Sequence, residues 1–393
     1  MTRSKANEAL PYWLALNRCV GTNPRLATKL LKHFGGPRAI LEAGSSGYAL
    51  AGVSAKARDR LSRLDWPGVE LDLDWASSPD HHIVVFGQAG YPTRLAEIPD
   101  PPAVLFVAGD VNALASPQVA IVGSRASTGL GRSVARRLGQ DLISFGLTVT
   151  SGLARGIDGA AQRAACEAGG PCVGVAAHGL DRIYPRSNRY LFDTVRACGA
   201  LVSEFAIGTA PCGHHFPQRN RVVSGLSLGV VVVEAASRSG SLITARLAAE
   251  QGREVFAVPG PVAEGAARGC HRLLREGATL VEDAADVIDG LPGWATADLC
   301  GVSPATEVVD EVRLDPESMR VLEALEFVPL AAEEVAERAR LTIERVSSIL
   351  LALELQGLAS FEAGSRYARA PEAQRERNRL GRVDVPVRPL SGR

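Results

Sequence analysis

From residue 119 onward, short apolar runs alternate with longer amphipathic stretches, and this alternation constrains the fold more than any other feature. The runs are 119–122, 147–150, 172–177, 201–203, 230–233, 255–258 and 279–281. Helical segments fall between them, including 130–145, 159–168, 188–198 and 241–251. Strands that alternate with helices build a doubly wound α/β layer with a mainly parallel sheet. The runs are apolar at successive positions, as strands covered by helices on both faces must be. Such a sheet binds ligands where loops leave the carboxyl ends of its strands.

Those loops carry polar and small residues. The first run leads into Gly123, Ser124 and Arg125, and then Ser127, Thr128 and Gly129 open a helix. Glycine lets the backbone approach an anion, and a helix N-terminus favours negative charge. The spacing is not G-x-G-x-x-G, and the second run ends in Ser151 and Gly152 without a ribose-binding acid. A dinucleotide site is therefore disfavoured, and no cofactor is expected. The second loop carries Arg155 and Asp158, the latter read as a helix N-cap rather than a catalytic acid. In the third, Arg186 follows Tyr184-Pro185. The fourth holds Glu204 and then Arg219, Asn220 and Arg221, just before an apolar helix. Two arginines there need an anionic or carbonyl partner, and an internal ion pair to Glu204 or Glu234 is the competing reading. In the fifth, Ser239, Gly240, Ser241 and Thr244 form a second anion nest. Several anion-friendly loops on one edge suit an extended polynucleotide backbone better than one small nucleotide.

The flanks differ from this core. Residues 1–75 read as helix, glycine turn, helix, twice over. That pattern resembles a helix-hairpin-helix or SAM-like module whose turns offer N–H groups to DNA phosphates; a bundle used for packing fits it equally well. Residues 76–290 hold the Rossmann-like domain, opening with a turn-rich connector that carries two short strands. A linker follows over 291–316. Three helical stretches and two short strands over 317–370 read as a winged helix, and 371–393 as a disordered tail.

Net charge is zero, yet it is unevenly spread. Residues 119–260 carry 15 Arg against 9 acids, and residues 307–370 carry 13 acids against 7 Arg. Only four of the 43 basic residues are lysine, and arginine forks suit bidentate phosphate contacts. The candidate recognition helix of the winged module offers Arg345 as its only basic residue, so protein contact or regulation fits it better than duplex reading. Seven scattered cysteines without a C-x-x-C pair fit reduced thiols rather than a disulfide framework. No apolar run of membrane-spanning length and no signal-peptide pattern occurs, so a cytoplasmic protein is expected.

The segments VAIVGSR, SGLARGID, GLDRIYPRSN, SEF, FPQRNRVVSGLS, VVVEAASRSGSLITARLAAEQGREVFAVPG and GCHRLLREGA follow one another in this order. Together they resemble the DprA/Smf family, densely over residues 80–290. The resemblance implies an extended Rossmann-like fold in a homodimer. It also implies binding of single-stranded DNA, loading of RecA onto it during natural transformation, and no catalytic activity. Carried over by position, it assigns the DNA pocket to Gly123, Ser124 and Arg125, to Arg186, to Asn220 and Arg221, and to Ser239, Gly240, Ser241 and Thr244. Gln162 stands where the family commonly has histidine, so a titrating role there is in doubt. Two rivals remain. A phosphoribohydrolase-like enzyme would use the same pocket, but the glutamate of its P-G-G-x-G-T-x-x-E loop is absent from 237–244. A metal site at Cys212, His214, His215, Cys270 and His271 matches no familiar spacing, so no metal is expected. Tyr184, Phe205 and Phe216 are the candidates for base stacking.

Overall fold

The computed structural model describes residues 3–20, 23–263, 265–292, 315–325, 329–356, 358–362 and 366–369. Nine strands form one sheet: β1 (His81–Val85), β2 (Val104–Gly109), β3 (Gln118–Gly123), β4 (Thr148–Ser151), β5 (Cys172–Val175), β6 (Ala200–Ser203), β7 (Gly229–Val233), β8 (Glu254–Ala257) and β9 (Thr279–Leu280). Their order is β1-β2-β6-β5-β4-β3-β7-β8-β9. The seven strands from β6 to β9 pair in parallel. β2 adds to β6, and β1 to β2, in antiparallel fashion. The connector strands are thus an edge of the main sheet.

Both faces of the sheet are covered. Val119, Ile121, Val231 and Val233 pack on one side with Leu138, Ile157 and Leu191 from helices. Ala120, Val122, Val230 and Val232 pack on the other with Val222, Leu226 and Leu242. This period-two split of continuous apolar runs is what a doubly wound sheet requires. Full burial of each such side chain contributes about 1.5–3 kcal/mol. The chain winds outward from β3 through β4 and β5 to β6, then returns to lay β7 on the other side of β3. The carboxyl ends of β3 and β7 therefore flank the topological switch point, where such sheets bind ligands.

The N-terminal part comprises the helices Arg3–Val20, Pro24–Phe34, Pro37–Glu42, Gly44–Leu50, Ala55–Leu61 and Trp66–Trp75. Leu14, Leu16, Leu30 and Tyr48 share a core with Val104 and Phe106 of β2. The last helix is easily missed in the sequence because Trp66-Pro67-Gly68 has the look of a turn. It starts there because Asp65 caps it and proline is tolerated in a first turn. Its Asp72 takes a bidentate contact from Arg18, at 2.7 and 2.8 Å, which fixes the bundle. The turn N–H of Gly35 already donates to Leu31 O at 2.9 Å, so it is not a vacant donor.

The C-terminal module has its own core of Val321, Val335, Val346, Leu350 and Leu353. It contains helices Pro316–Ala324, Ala332–Ala339 and Ile343–Leu355, with a small sheet of β10 (Leu330–Ala331), β11 (Ala359–Glu362) and β12 (Arg366–Arg369). That is a winged helix. The turn expected at 363–365, the linker core 293–314 and the tail 371–393 lie outside the described residues. Among the described residues, no helix is long and apolar enough to cross a membrane.

One sequence expectation fails here: Cys166 and Cys198 are joined as a disulfide. The helices Ile157–Glu167 and Arg189–Cys198 pack together and end side by side, which brings two cysteines 32 residues apart to a Cα separation of 6.0 Å. Scattered spacing in sequence hid a contact made by helix packing.

Candidate nucleic-acid interface

At the switch point the loops after β3 and β7 border a cleft of about 840 Å³. Nine of the twelve expected site residues line it: Gly123, Ser124, Arg125, Arg219, Asn220, Ser239, Gly240, Ser241 and Thr244. Arg155, Arg186 and Arg221 do not. Arg155 and Arg186 stand exposed on loops leaving β4 and β5. Two of the expected stacking residues, Tyr184 and Phe216, also line it, and the structure adds Arg238.

The β3 loop is shaped by close packing. A Cβ on Gly123 would lie 2.0 Å from Val233 O and 2.6 Å from Ile157, so only glycine fits. Ser124 N–H donates to Glu234 O at 2.8 Å, and Glu234 adopts a left-handed φ of 60° to receive it. Gly156 has φ +81°, and a Cβ there would lie 2.2 Å from Ser124 O. The first, second and fifth loops are thereby locked to one another. The glycine expected to let a phosphate approach is required first by this interlock.

Opposite, the helix Ser241–Glu250 begins at Gly240 with no side-chain cap. The hydroxyls of Ser239 and Ser241 sit 2.7 Å apart. Ser241 and Thr244 are buried, while Gly240 has no atom within 4 Å of the place a Cβ would occupy. An open helix start beside hydroxyl donors has the chemistry of an anion seat.

The arginines divide into two classes. Arg219 and Arg221 are each 4 % exposed. They lie within the helix His215–Leu226 rather than before it, because Pro217 falls in its first turn. Arg219 donates to Gly152 O at 2.6 Å and to Val175 O. Burial pulls its pKa down to about 10, with Asp158 opposing that shift and Arg125 adding to it. Asp158 does not cap its helix, whose N-cap is Gly156. It is buried and accepts from Gly152 N at 3.1 Å, and burial raises its pKa against the pull of Arg219. Arg221 pairs with the buried carboxylate of Glu204 and donates to Asp100 O at 2.6 Å. The internal ion-pair reading is the one realised for Arg221, so its guanidinium is directed away from the cleft.

Arg125, Arg155, Arg186 and Arg238 are exposed and, among the described residues, form no ion pair or hydrogen bond. Arg125 lies over the ring of Phe216, 5.0 Å from its centroid, and Phe216 stands 5.7 Å from Tyr184. Phe205, the third expected stacking residue, is 3 % exposed and packs on His215 instead. Gln162 is fully buried and donates to Val173 O at 3.1 Å, a role in packing. Cys212 and His214 touch at 3.1 Å. With His215, Cys270 and His271 they form no group of three metal-ligating atoms among the described residues.

Comparison with known proteins bears on this geometry. Residues 82–292 match the model of the DNA recombination-mediator protein A family, and residues 305–365 match the DprA winged helix domain. Protein Smf of Escherichia coli is 40 % identical over 316 residues, covering 78 % of this chain and 82 % of that protein. The DNA processing protein DprA of Streptococcus pneumoniae is 46 % identical over 198 residues, covering 50 % of this chain and 70 % of its own length. An X-ray structure of DprA from that organism superposes with a TM-score of 0.63 at 35 % identity, covering 70 % of this chain and 96 % of the other.

Proposed function

The chain belongs to the DNA recombination-mediator protein A family, and from that premise we propose that its switch-point cleft holds the sugar–phosphate backbone of single-stranded DNA. The observation that carries the reading is the set of exposed arginines without acidic partners around two anion-ready loops. An exposed guanidinium without a carboxylate partner is free to pair with a phosphate of a polyanion. Ser124, the Ser239–Ser241 loop and Thr244 would seat phosphates, with Arg125 and Arg238 at the cleft and Arg155 and Arg186 on the neighbouring loops. Tyr184 and Phe216 offer faces for bases.

In this reading the protein is a cytoplasmic, non-catalytic mediator that acts as a homodimer and passes the bound strand to RecA, as the family resemblance implies. Of Glu204 and Glu234, the strand-end acids that a hydrolytic reading could pair, Glu204 is committed to Arg221. In the winged helix Arg345 is paired with Glu317 at 2.6 Å, which supports a protein-contact role for that module over duplex reading.

Fluorescence anisotropy with a labelled oligo-dT and the matching duplex tests the proposal. Wild type should prefer the single strand, and Arg125→Ala/Arg186→Ala should lose that preference with its circular dichroism unchanged. Failure of well-folded wild type to bind would overturn the reading and direct attention to nucleoside monophosphate hydrolysis.

A further inference from the structure

The cleft occupies the carboxyl edge of the sheet, and a second chemical cluster lies at the amino edge. Cys172 is the first residue of β5, Cys166 sits in the last turn of the helix Ile157–Glu167, and Cys198 ends the helix Arg189–Cys198. Their three sulfur atoms all lie within 4.8 Å of one another. Cys172 is fully buried, whereas Cys166 and Cys198 are half-buried and reachable from solvent. The backbone beneath them is tightly packed, since a Cβ on Gly199 would lie 2.1 Å from Cys172 O.

Two helices end at this cluster. A helix carboxyl end carries partial negative charge and favours a cation. Sulfur is the ligand that selects zinc-like and other soft ions. Tetrahedral zinc with Zn–S bonds of about 2.3 Å sets its sulfurs about 3.8 Å apart, so Cys166 and Cys198, now joined, must part to admit it, and that spacing stays inside the 4.8 Å that contains all three sulfurs.

We propose that Cys166, Cys172 and Cys198 form a binding site for one divalent d10 cation of the zinc class. Each thiol releases its proton as the cation binds, so three protons leave per ion and the product carries one negative charge. The fourth position is open to water. The Cys166–Cys198 disulfide is the closed state of the same site, because it removes two of the three ligands. Cation binding and the disulfide are therefore mutually exclusive. The inference is independent of the DNA reading, since none of these residues lines the cleft.

The test uses the full chain and cadmium(II) alone as probe. The protein is first reduced with a trialkylphosphine, which takes up the oxygen of one water as the disulfide becomes two thiols, and the phosphine is removed. The ultraviolet thiolate-to-cadmium band should saturate at one equivalent in wild type and in Cys212→Ser. It should be lost or strongly weakened in Cys166→Ser and in Cys198→Ser, both half-buried positions where serine fits. Protein left in the disulfide form should give no band. Absence of the band in folded, reduced wild type would overturn the proposal. So would a band unchanged in both serine variants, or one abolished by Cys212→Ser.

Discussion

The buried layer behind the cleft wall and the exposed rim are built from the same residue type and differ in every physical respect. In this buried layer, the floor, Arg219 lines the cleft and Arg221 points away from it; each is 4 % exposed, with a carboxylate beside it and backbone carbonyl oxygen to receive its protons. On the rim and the loops beside it, Arg125, Arg155, Arg186 and Arg238 face solvent and, among the described residues, form no ion pair or hydrogen bond. A buried guanidinium with fixed acceptors braces loops. An exposed one without acceptors is a standing offer to an anion. Cations near a DNA site need not touch DNA, and burial separates the two kinds.

The largest expected effect falls on the floor. Arg221→Met leaves the Glu204 carboxylate buried and unpaired, which costs about 3–5 kcal/mol of folding stability. Urea unfolding should show this loss, and Arg221→Met/Glu204→Leu should recover much of it. A loss below about 1 kcal/mol would mean that Arg221 is dispensable to the fold and would reopen its case as a DNA contact.

On the rim the balance reverses. Arg125→Ala/Arg186→Ala should change stability by no more than about 0.5 kcal/mol, yet cost about 2–4 kcal/mol in binding single-stranded DNA, as two charge-assisted contacts are lost. The diagnostic is salt. Each phosphate contact on a single strand contributes about 0.7 to the slope of log affinity against log salt, so the double variant should be shallower by about 1.4 units. A weakened affinity at unchanged slope would show that these arginines act on the fold of the loops and not on phosphates.

Much of this was legible before any coordinates. Period-two splitting of runs such as 119–122 and 230–233 follows directly from β-strand geometry, and a doubly wound sheet puts the loops on one edge; that those after β3 and β7 are neighbours comes from the strand order in the structure. What escaped the sequence was direction and distance. Arg219, Asn220 and Arg221 are consecutive, yet one helix sends Arg221 to Glu204 and keeps Asn220 at the cleft. A polar helix face buried against partners resembles a loop, because composition reports polarity and not burial. Asp158 stands one residue inside its helix, where its burial against Gly152 and Arg219 outweighed the capping role its position suggested. The cysteine cluster rests on the packing of two helices, and no spacing rule encodes that.

A smaller effect separates charge from stacking at the rim itself. Phe216→Ala removes the ring beneath Arg125 and should weaken single-strand binding by about 1–3 kcal/mol, with the salt slope retained. The same titrations as for the arginine variant measure it. A slope reduced as much as in Arg125→Ala would show that Phe216 serves only to hold the guanidinium in place.

The smallest effect returns to the floor and concerns pH. His178 is 1 % exposed and hydrogen-bonds through Nδ1 to Gly179 O at 2.9 Å. Burial lowers its pKa, and Arg219 lowers it further. The unfolded chain therefore takes up the proton more readily, so the stability this residue contributes is intact above about pH 6.5 and is lost as the pH falls below it. Glu204, which burial raises to about 7, acts in the opposite sense: its contribution fades as pH rises from its ordinary 4.5 toward that value. Comparison of wild type with His178→Gln cancels Glu204, since both proteins carry it. The stability gap between them should shift toward the variant as the pH falls from about 7.5 to 5.5, while the salt slope of DNA binding stays the same. A pH-independent gap would mean that His178 already titrates normally in the folded protein. The floor would then be open to water, and its separation from the rim would no longer hold.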